Sequence, residues 1–312
     1  MKHATILTAA VLLSSTAAAA QSSGPFTVAE TGNSHSNLQA AVYEAEALPT
    51  GTILIAPGVH RVCAVQQRGS VTFRAAQPGE ARFSRIACEG KAALVLRGQS
   101  SRIEGLVFSN IRVGDGNGAG IRLETGDLFV SQSWFRDSQQ GILTANDANG
   151  DIVIDKSTFS RLGTCENSAG CAHSIYIGDY GSLTVTRSRF EEGRGGHYVK
   201  SRAARIDLRD SSFDDARGQA TNYMVDLPAG AVGRIANNWF VQGSNKENWS
   251  AFIAVAAEGG SNASEGLVIE NNTARFVPGL ARNTHFVASW TGERFTIRNN
   301  DLARGIARFD QR

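Results

Sequence analysis

The sequence predicts an all-β chain wound as a single-stranded right-handed parallel β-helix with an amphipathic helix capping its N-terminal end. Three observations carry this. Between residues 93 and 300 a unit recurs: a short alternating strand, a Ser-x-Phe or Asn-Asn turn, a second alternating strand, then Gly or Asp. Phe108, Phe135, Phe159, Phe190 and Phe213 hold one phase of that unit at intervals of 27, 24, 31 and 23 residues, the length of one turn of a solenoid and too short for a domain. A composition of 33 Gly and 6 Pro suits many turns between strands and argues against a helical bundle.

Residues 1–20 come first. Lys2 and His3 precede an apolar run from Ala4 to Leu13 and a small-residue end at Ala18-Ala19-Ala20, the layout of a secretory signal peptide. The mature chain, 21–312, is then expected to be one exported domain, periplasmic or secreted from a bacterial cell. The leader's apolar run is too short to span a bilayer, and no later stretch approaches the length that spanning requires.

Residues 36–48 form the expected cap. Ser36-Asn37-Leu38-Gln39 has the form of a capping box, and Leu38, Ala41, Val42, Ala45 and Leu48 recur at helical spacing until Pro49 and Gly51. A helix there covers the strand edges that an open stack exposes. Gly51 to Gly58 follows as a buried strand closed by Pro57-Gly58, and coils fill 52–300. Each unit is too short to bury a face alone, whereas stacked parallel strands about 4.8 Å apart align their inward side chains into continuous ladders. Asparagine pairs such as Asn237-Asn238 and Asn271-Asn272 supply the left-handed backbone of sharp corners.

Cys63, Cys88, Cys165 and Cys171 make an even set, which in an exported chain reads as disulfides. Of three connectivities, Cys63–Cys88 with Cys165–Cys171 is the one expected. The step from Cys165 to Cys171 is too long for a zinc knuckle. Asp147, Asp151 and Asp155 lie near one coil, but calcium needs six to eight converging oxygens, so neither metal nor other cofactor is indicated. A formal charge of +2 without blocks of like charge gives no indication of a nucleic-acid partner. A monomer is expected.

The entry of amphipathic helix, strand and Ala56-Pro57-Gly58, followed by coils, resembles the pectin-lyase-like β-helix superfamily. That resemblance implies the fold and leaves function open, because the superfamily includes lyases, hydrolases, esterases, epimerases and adhesins. More narrowly, His173-Ser-Ile-Tyr-Ile-Gly178, Gly196-His-Tyr-Val-Lys-Ser-Arg-Ala203 and Tyr223-Met-Val-Asp-Leu-Pro-Ala-Gly230 resemble motifs of exported bacterial β-helix proteins, with no catalytic assignment attached.

The densest chemistry lies in Gly196–Arg202, where His197, Tyr198, Lys200 and Arg202 exceed what folding asks of a rung. Aligning successive coils on Ile121/Leu123, Ile175/Ile177, Val199/Ser201 and Val225/Leu227 sends Arg122, Leu143, Tyr176, Lys200, Asp226 and Ala254 outward in one column. Arg202 falls one step further, beside Gly178, whose missing side chain would leave room for a ligand, with Asp179 near it. By the same alternation Tyr198 points outward, while His173, His197, Tyr223 and His285 fall in phase with the interior. Gly195-Gly196 gives the backbone freedom to turn the His197 ring outward. Asp214-Asp215 is expected to serve a coil corner.

A cation, a base and an acid are the minimum for β-elimination beside a uronate carboxylate. Arg202 suits the carboxylate, Lys200 the base, and Tyr176, Tyr198, His197 or His173 the remaining role. Arg122, Asp179, Asp226 and Trp249 are the expected substrate contacts, with Trp249 as a stacking platform, and segments 110–120, 161–172 and 242–250 are expected to flank the groove. The sequence thus points to a polysaccharide lyase on an acidic polymer. A hydrolase is the competing reading and needs two carboxylates. Polygalacturonase-type relatives carry an aspartate pair before Gly-His and Arg-x-Lys after it. Here Asp214-Asp215 follows Gly196-His197 and the cations run Lys200-x-Arg202, so that assignment does not transfer. A non-catalytic module binding acidic polysaccharide is the third reading.

Overall fold

A computed structural model describes residue 1, residues 24–168 and residues 170–312. Beyond Met1, the expected leader lies outside the described residues. The described chain winds as the expected right-handed parallel β-helix, its strands forming three sheets of twelve, ten and ten strands. Each coil contributes one strand to each sheet, as in Tyr180–Thr186, Arg189–Glu191 and Val199–Ser201. The winding continues past residue 300, because Ile306–Gln311 adds a last strand to the third sheet.

The N-terminal end is closed by two devices. Phe26–Val28 pairs antiparallel with Gly51–Ile55, the first strand of the stack. The helix spans Leu38–Ala45, shorter than 36–48, and buries Leu38, Ala41, Val42 and Ala45. Its cap is Asn37 rather than Ser36: the Asn37 side chain accepts from the N–H groups of Gln39 at 2.8 Å and Ala40 at 3.3 Å. Gln39 is thereby released from the expected capping box. Its amide instead exchanges hydrogen bonds with the backbone N–H and carbonyl of Val65 at 2.8 Å each, satisfying an edge that the stack leaves open.

Inside, the phenylalanine ladder extends one rung beyond the sequence pattern at each end. Phe83, Phe108, Phe135, Phe159, Phe190, Phe213 and Phe240 stack with centroids 4.8–5.6 Å apart. All seven are fully buried, and each contributes a large apolar payload held in offset contact.

A second ladder forms the corner between the first and second sheets. The side-chain oxygens of Ser157, Ser188, Ser211, Asn238, Asn272 and Asn300 each accept from the backbone N–H of the equivalent residue one coil earlier, at 2.9–3.3 Å. The residue before each is left-handed, from Lys156 at φ 48° to Asn237 at φ 58°. Asn pairs and Ser-containing turns are therefore one device in two spellings.

Both expected disulfides form, Cys63–Cys88 and Cys165–Cys171.

Candidate active cleft on the third sheet

The register of the third sheet aligns Arg122, Leu143, Tyr176, Lys200, Asp226 and Ala254 on successive rungs. Between them Ile175, Ile177, Val199, Ser201, Val225 and Leu227 are fully buried. Strand alternation alone places this column.

Alternation fails at the corner just before the strand. Ser174, Tyr198, Met224 and Phe252 are buried, and each is followed directly by another inward residue, Ile175, Val199, Val225 or Ile253. Two successive inward residues reverse the phase upstream. His173, His197 and Tyr223 therefore come out on the same face as Tyr176, Lys200 and Asp226, not toward the interior, and His285 is likewise outward with its side chain 36% exposed. The same inversion sends Tyr198 inward, contrary to the outward position that alternation gave it. Its hydroxyl donates to Asp215 Oδ1 at 2.7 Å and accepts from Gly193 N–H at 3.1 Å, while its ring meets Phe213 edge-on. Tyr198 is a core residue, and burial first, then Asp215, holds its phenol well above the usual range.

Lys200 and Arg202 share a carboxylate that the sequence did not point to. Lys200 Nζ donates to Glu258 Oε1 at 2.6 Å, and Arg202 Nη2 donates to Glu258 Oε2 at 2.5 Å. Arg202 Nε also donates to the Tyr176 hydroxyl at 3.1 Å. Glu258 arrives on the connection after strand Ala251–Val255, a longer interruption than its neighbours and absent from the expected groove-flanking segments. Two hydrogen bonds fold it back: Glu258 N–H to the Pro228 carbonyl at 2.9 Å, and Asn262 Nδ2 to the Arg202 carbonyl at 2.9 Å. Gly259-Gly260 was the available signal for a flexible excursion.

Beneath the cations lies a buried layer. Asp226 Oδ2 is 3.3 Å from Lys200 Nζ and 3.4 Å from His197 Nε2, and Asp226 Oδ1 has no hydrogen-bond partner. Burial raises the Asp226 carboxyl to about 6, against the pull of Lys200. Burial likewise lowers His173 to about 3, with Lys200 adding to the effect. His197 is held well below the usual imidazole range by burial and then by His173. At Glu258 burial works in the opposite sense, yet hydrogen bonds from Lys200 and Arg202 carry it below the usual carboxylate range. His173 Nδ1 accepts the His197 backbone N–H at 3.0 Å, so the neutral ring carries its proton on Nε2. Its ring meets Tyr176 edge-on at 5.4 Å.

Above this layer opens a cleft of about 490 Å³ lined by Arg122, His173, Tyr176, Lys200, Arg202 and Glu258, among others. Asn117 borders it from the 110–120 segment, and Ser168 and Cys171 border it from the disulfide-closed 161–172 segment. Arg122 stands 3.7 Å from Glu124, and its Nε lacks a hydrogen-bond partner.

Three expected contacts lie elsewhere. Asp226 belongs to the layer under Lys200 and does not line the cleft. Asp179 is exposed at a coil corner, with its backbone N–H on Asn146 Oδ1 at 2.9 Å. Trp249 packs under the Arg282 guanidinium at 5.0 Å and is not in the cleft wall, nor is the rest of 242–250. Gly178 does line the cleft, but for a different reason from the one expected: a side chain there would meet the Ala145 carbonyl at 2.3 Å. Close backbone approach requires the glycine.

The remaining acidic candidates disperse. Asp147 accepts from Gly126 and Thr125, Asp151 from Ser182, and Asp155 from Arg187, so these carboxylates do not converge on a common point. Among the described residues no group of three or more His, Cys, Asp or Glu is placed to hold a metal ion. Asp214 serves its corner as expected, accepting from Ala216 N–H at 3.0 Å. Asp215 instead enters the core, where it pairs with Lys246 at 3.2 Å with both side chains fully buried.

No protein-family model and no curated protein matches the sequence. Solved structures do. An alginate lyase from Paenibacillus sp. str. FPU-7 superposes with TM-score 0.52 at 16% identity, covering 88% of this chain and 94% of that one. The PL6 family alginate lyase AlyGC gives 0.49 at 14% identity over 84% of this chain, which spans 38% of the length of AlyGC. The Streptococcus pneumoniae surface protein and adhesin PfbA gives 0.49 at 11% identity, covering 88% and 94%. At such identities the likeness is one of fold, and it places this chain among right-handed parallel β-helix proteins.

Proposed function

We propose that this protein is an exported carbohydrate-active enzyme, a lyase that cleaves an acidic, uronate-containing polysaccharide by β-elimination. The observation that carries the reading is the clamp of Lys200 and Arg202 on the Glu258 carboxylate at the floor of a cleft. Two cations already seated on a carboxylate mark the place where a uronate carboxylate would bind, with Glu258 displaced. The alginate lyase fold likeness agrees with this reading. Export agrees with the two disulfides, which persist in oxidising compartments. Among the described residues no helix is long and apolar enough to cross a membrane.

In the proposed reaction Arg202 neutralises the substrate carboxylate, so that charge developing on the adjacent carbon spreads onto oxygens held by a guanidinium. Lys200 must first give up a proton to solvent as Glu258 is displaced; as the neutral amine it then takes the proton from that carbon and becomes an ammonium again. The carbon–oxygen bond at the neighbouring position breaks, a carbon–carbon double bond forms, and the departing glycosidic oxygen takes a proton from Tyr176. Tyr176 is prepared for this because its oxygen already accepts from Arg202 Nε, leaving its own proton free to be given. His173, presenting Nε2–H, is the alternative donor. Positive charge comes from the chain's own side chains, and no step is assigned to a metal or cofactor.

One observation favours hydrolysis instead: Asp226 is raised and Glu258 lowered, the split expected of an acid and its partner carboxylate. Against it, Asp226 lies under Lys200, out of reach of a glycosidic oxygen in the cleft. Incubation with a panel of uronate polymers decides. Ultraviolet absorbance from an unsaturated product is expected. New reducing ends without that absorbance would establish hydrolysis, and binding without new ends would establish a non-catalytic module.

A further inference from the structure

A second outward file runs down the second sheet, on a different side of the coil from the cleft. Pairing registers place Arg82, Val107, Trp134, Thr158, Arg189, Ser212 and Trp239 at successive rungs. Four rungs separate the two indoles, a span of about 19 Å at the spacing of parallel strands. Single exposed apolar residues need no explanation, but these two share a pattern. Trp134 is 37% exposed with the Arg136 guanidinium 4.4 Å over its ring, and Trp239 is 48% exposed with Arg275 at 5.8 Å. Thr158 and Ser212 are short, while Arg189 at the middle rung is paired with Glu191 at 2.5 Å, and a depression of about 590 Å³ borders Trp239, Arg189 and Ser212.

The charge on this face is unbalanced at one end. Most arginines of the chain sit on carboxylates, as Arg161 does on Asp137 at 2.7 Å. Arg82 and Arg136 have no such partner among the described residues, and the Nε of each is buried without a hydrogen bond. Burial first, and Arg82 second, depress the Arg136 guanidinium, outweighing the pull of Asp137 nearby. Two guanidinium groups outside any ion pair beside an exposed indole, with a second indole in line, match a ligand that alternates apolar ring faces with carboxylates.

We infer that the second sheet binds a further stretch of acidic polysaccharide without cleaving it, with Trp134 and Trp239 as stacking platforms and Arg82 and Arg136 holding a uronate carboxylate. This rests on the uronate-polymer reading of the cleft but uses none of its residues. Its role is to hold the enzyme on long chains and leave cleavage of short ones unaffected.

The test is electrophoretic retardation of the full-length protein in gels containing a uronate polymer, beside cleavage of a short uronate oligosaccharide. Trp134→Ala/Trp239→Ala is expected to weaken retardation about tenfold with thermal midpoint and oligosaccharide cleavage unchanged. Trp134→Phe/Trp239→Phe should restore most of the binding, and Arg136→Gln should weaken it with a flatter salt dependence. Unchanged retardation in the double alanine variant overturns the inference, as does equal retardation by a neutral polymer. Tryptophan-dependent retardation in a protein that cleaves nothing would overturn the lyase reading and leave this surface standing. Cleavage with retardation that depends on Arg202 alone would do the reverse.

Discussion

Lys200 and Glu258, separated by 58 residues of chain, meet at 2.6 Å in the floor of the cleft. Because the Glu258 side chain is 44% exposed, its ion pairs are partly solvated and individually weak, and an incoming carboxylate can displace it. Glu258→Gln keeps the shape and removes the competing charge. The expected result, measured by titration calorimetry, is uronate oligosaccharide binding tightened about three- to tenfold. Weakened binding would show that Glu258 contacts the ligand itself.

Lys200→Ala and Arg202→Ala should each lower kcat on the polymer by about a hundredfold or more, the scale of a lost proton-transfer or charge-stabilising group. Arg202→Lys should recover only part of this, because an ammonium cannot grip a carboxylate with two parallel hydrogen bonds. Wild-type turnover in either alanine variant would remove that residue from the reaction.

The buried layer under the cations gives opposed pH signatures. Asp226 titrates at about 6 when folded against 3.8 for the free side chain, so between those values the folded state holds the extra proton and stability falls as pH rises. In Asp226→Asn this loss is absent, and the variant should gain on the wild type by on the order of 3 kcal/mol between pH 4 and pH 7. His173 runs the other way. Its folded value of about 3 lies below 6.5, so its contribution is present above pH 6.5 and disappears on acidification toward pH 3. Thermal melts of His173→Gln should show a shallower acid limb than the wild type.

Asp215 and Lys246 form an ion pair closed from solvent and completed by the Tyr198 and Thr221 hydroxyls. Asp215→Ala leaves a buried ammonium unpaired and should cost about 3–5 kcal/mol in denaturant unfolding. Tyr198→Phe removes two hydrogen bonds, the one to Asp215 and the one from Gly193 N–H, and should cost about 2–3 kcal/mol, with little effect on cleavage. A large loss of turnover in a stable Tyr198→Phe protein would return the phenol to the active cleft.

Period and alternation made the coil, the phenylalanine ladder and the outward column from Arg122 to Ala254 legible in the sequence, because they are properties of an extended backbone repeated at fixed length. The disulfide pairing was one of three connectivities open to an even set of four cysteines, and the structure forms the expected one. Tyr198 and His173 exchanged sides because two successive residues turn inward at a corner. That corner geometry is set by contacts to the neighbouring rungs, among them Gly193 N–H and Asp215 on Tyr198, and it leaves no mark on local hydropathy. Glu258 was invisible for a related reason: the connection that carries it is held in place by hydrogen bonds to other coils, among them those to Pro228, Ala229 and Arg202. Which side chains share a face is readable from residue order wherever the strand runs straight. Which carboxylate the cations hold is settled in three dimensions, since an ion pair depends on distance in space and the chain brings those atoms together from separate turns.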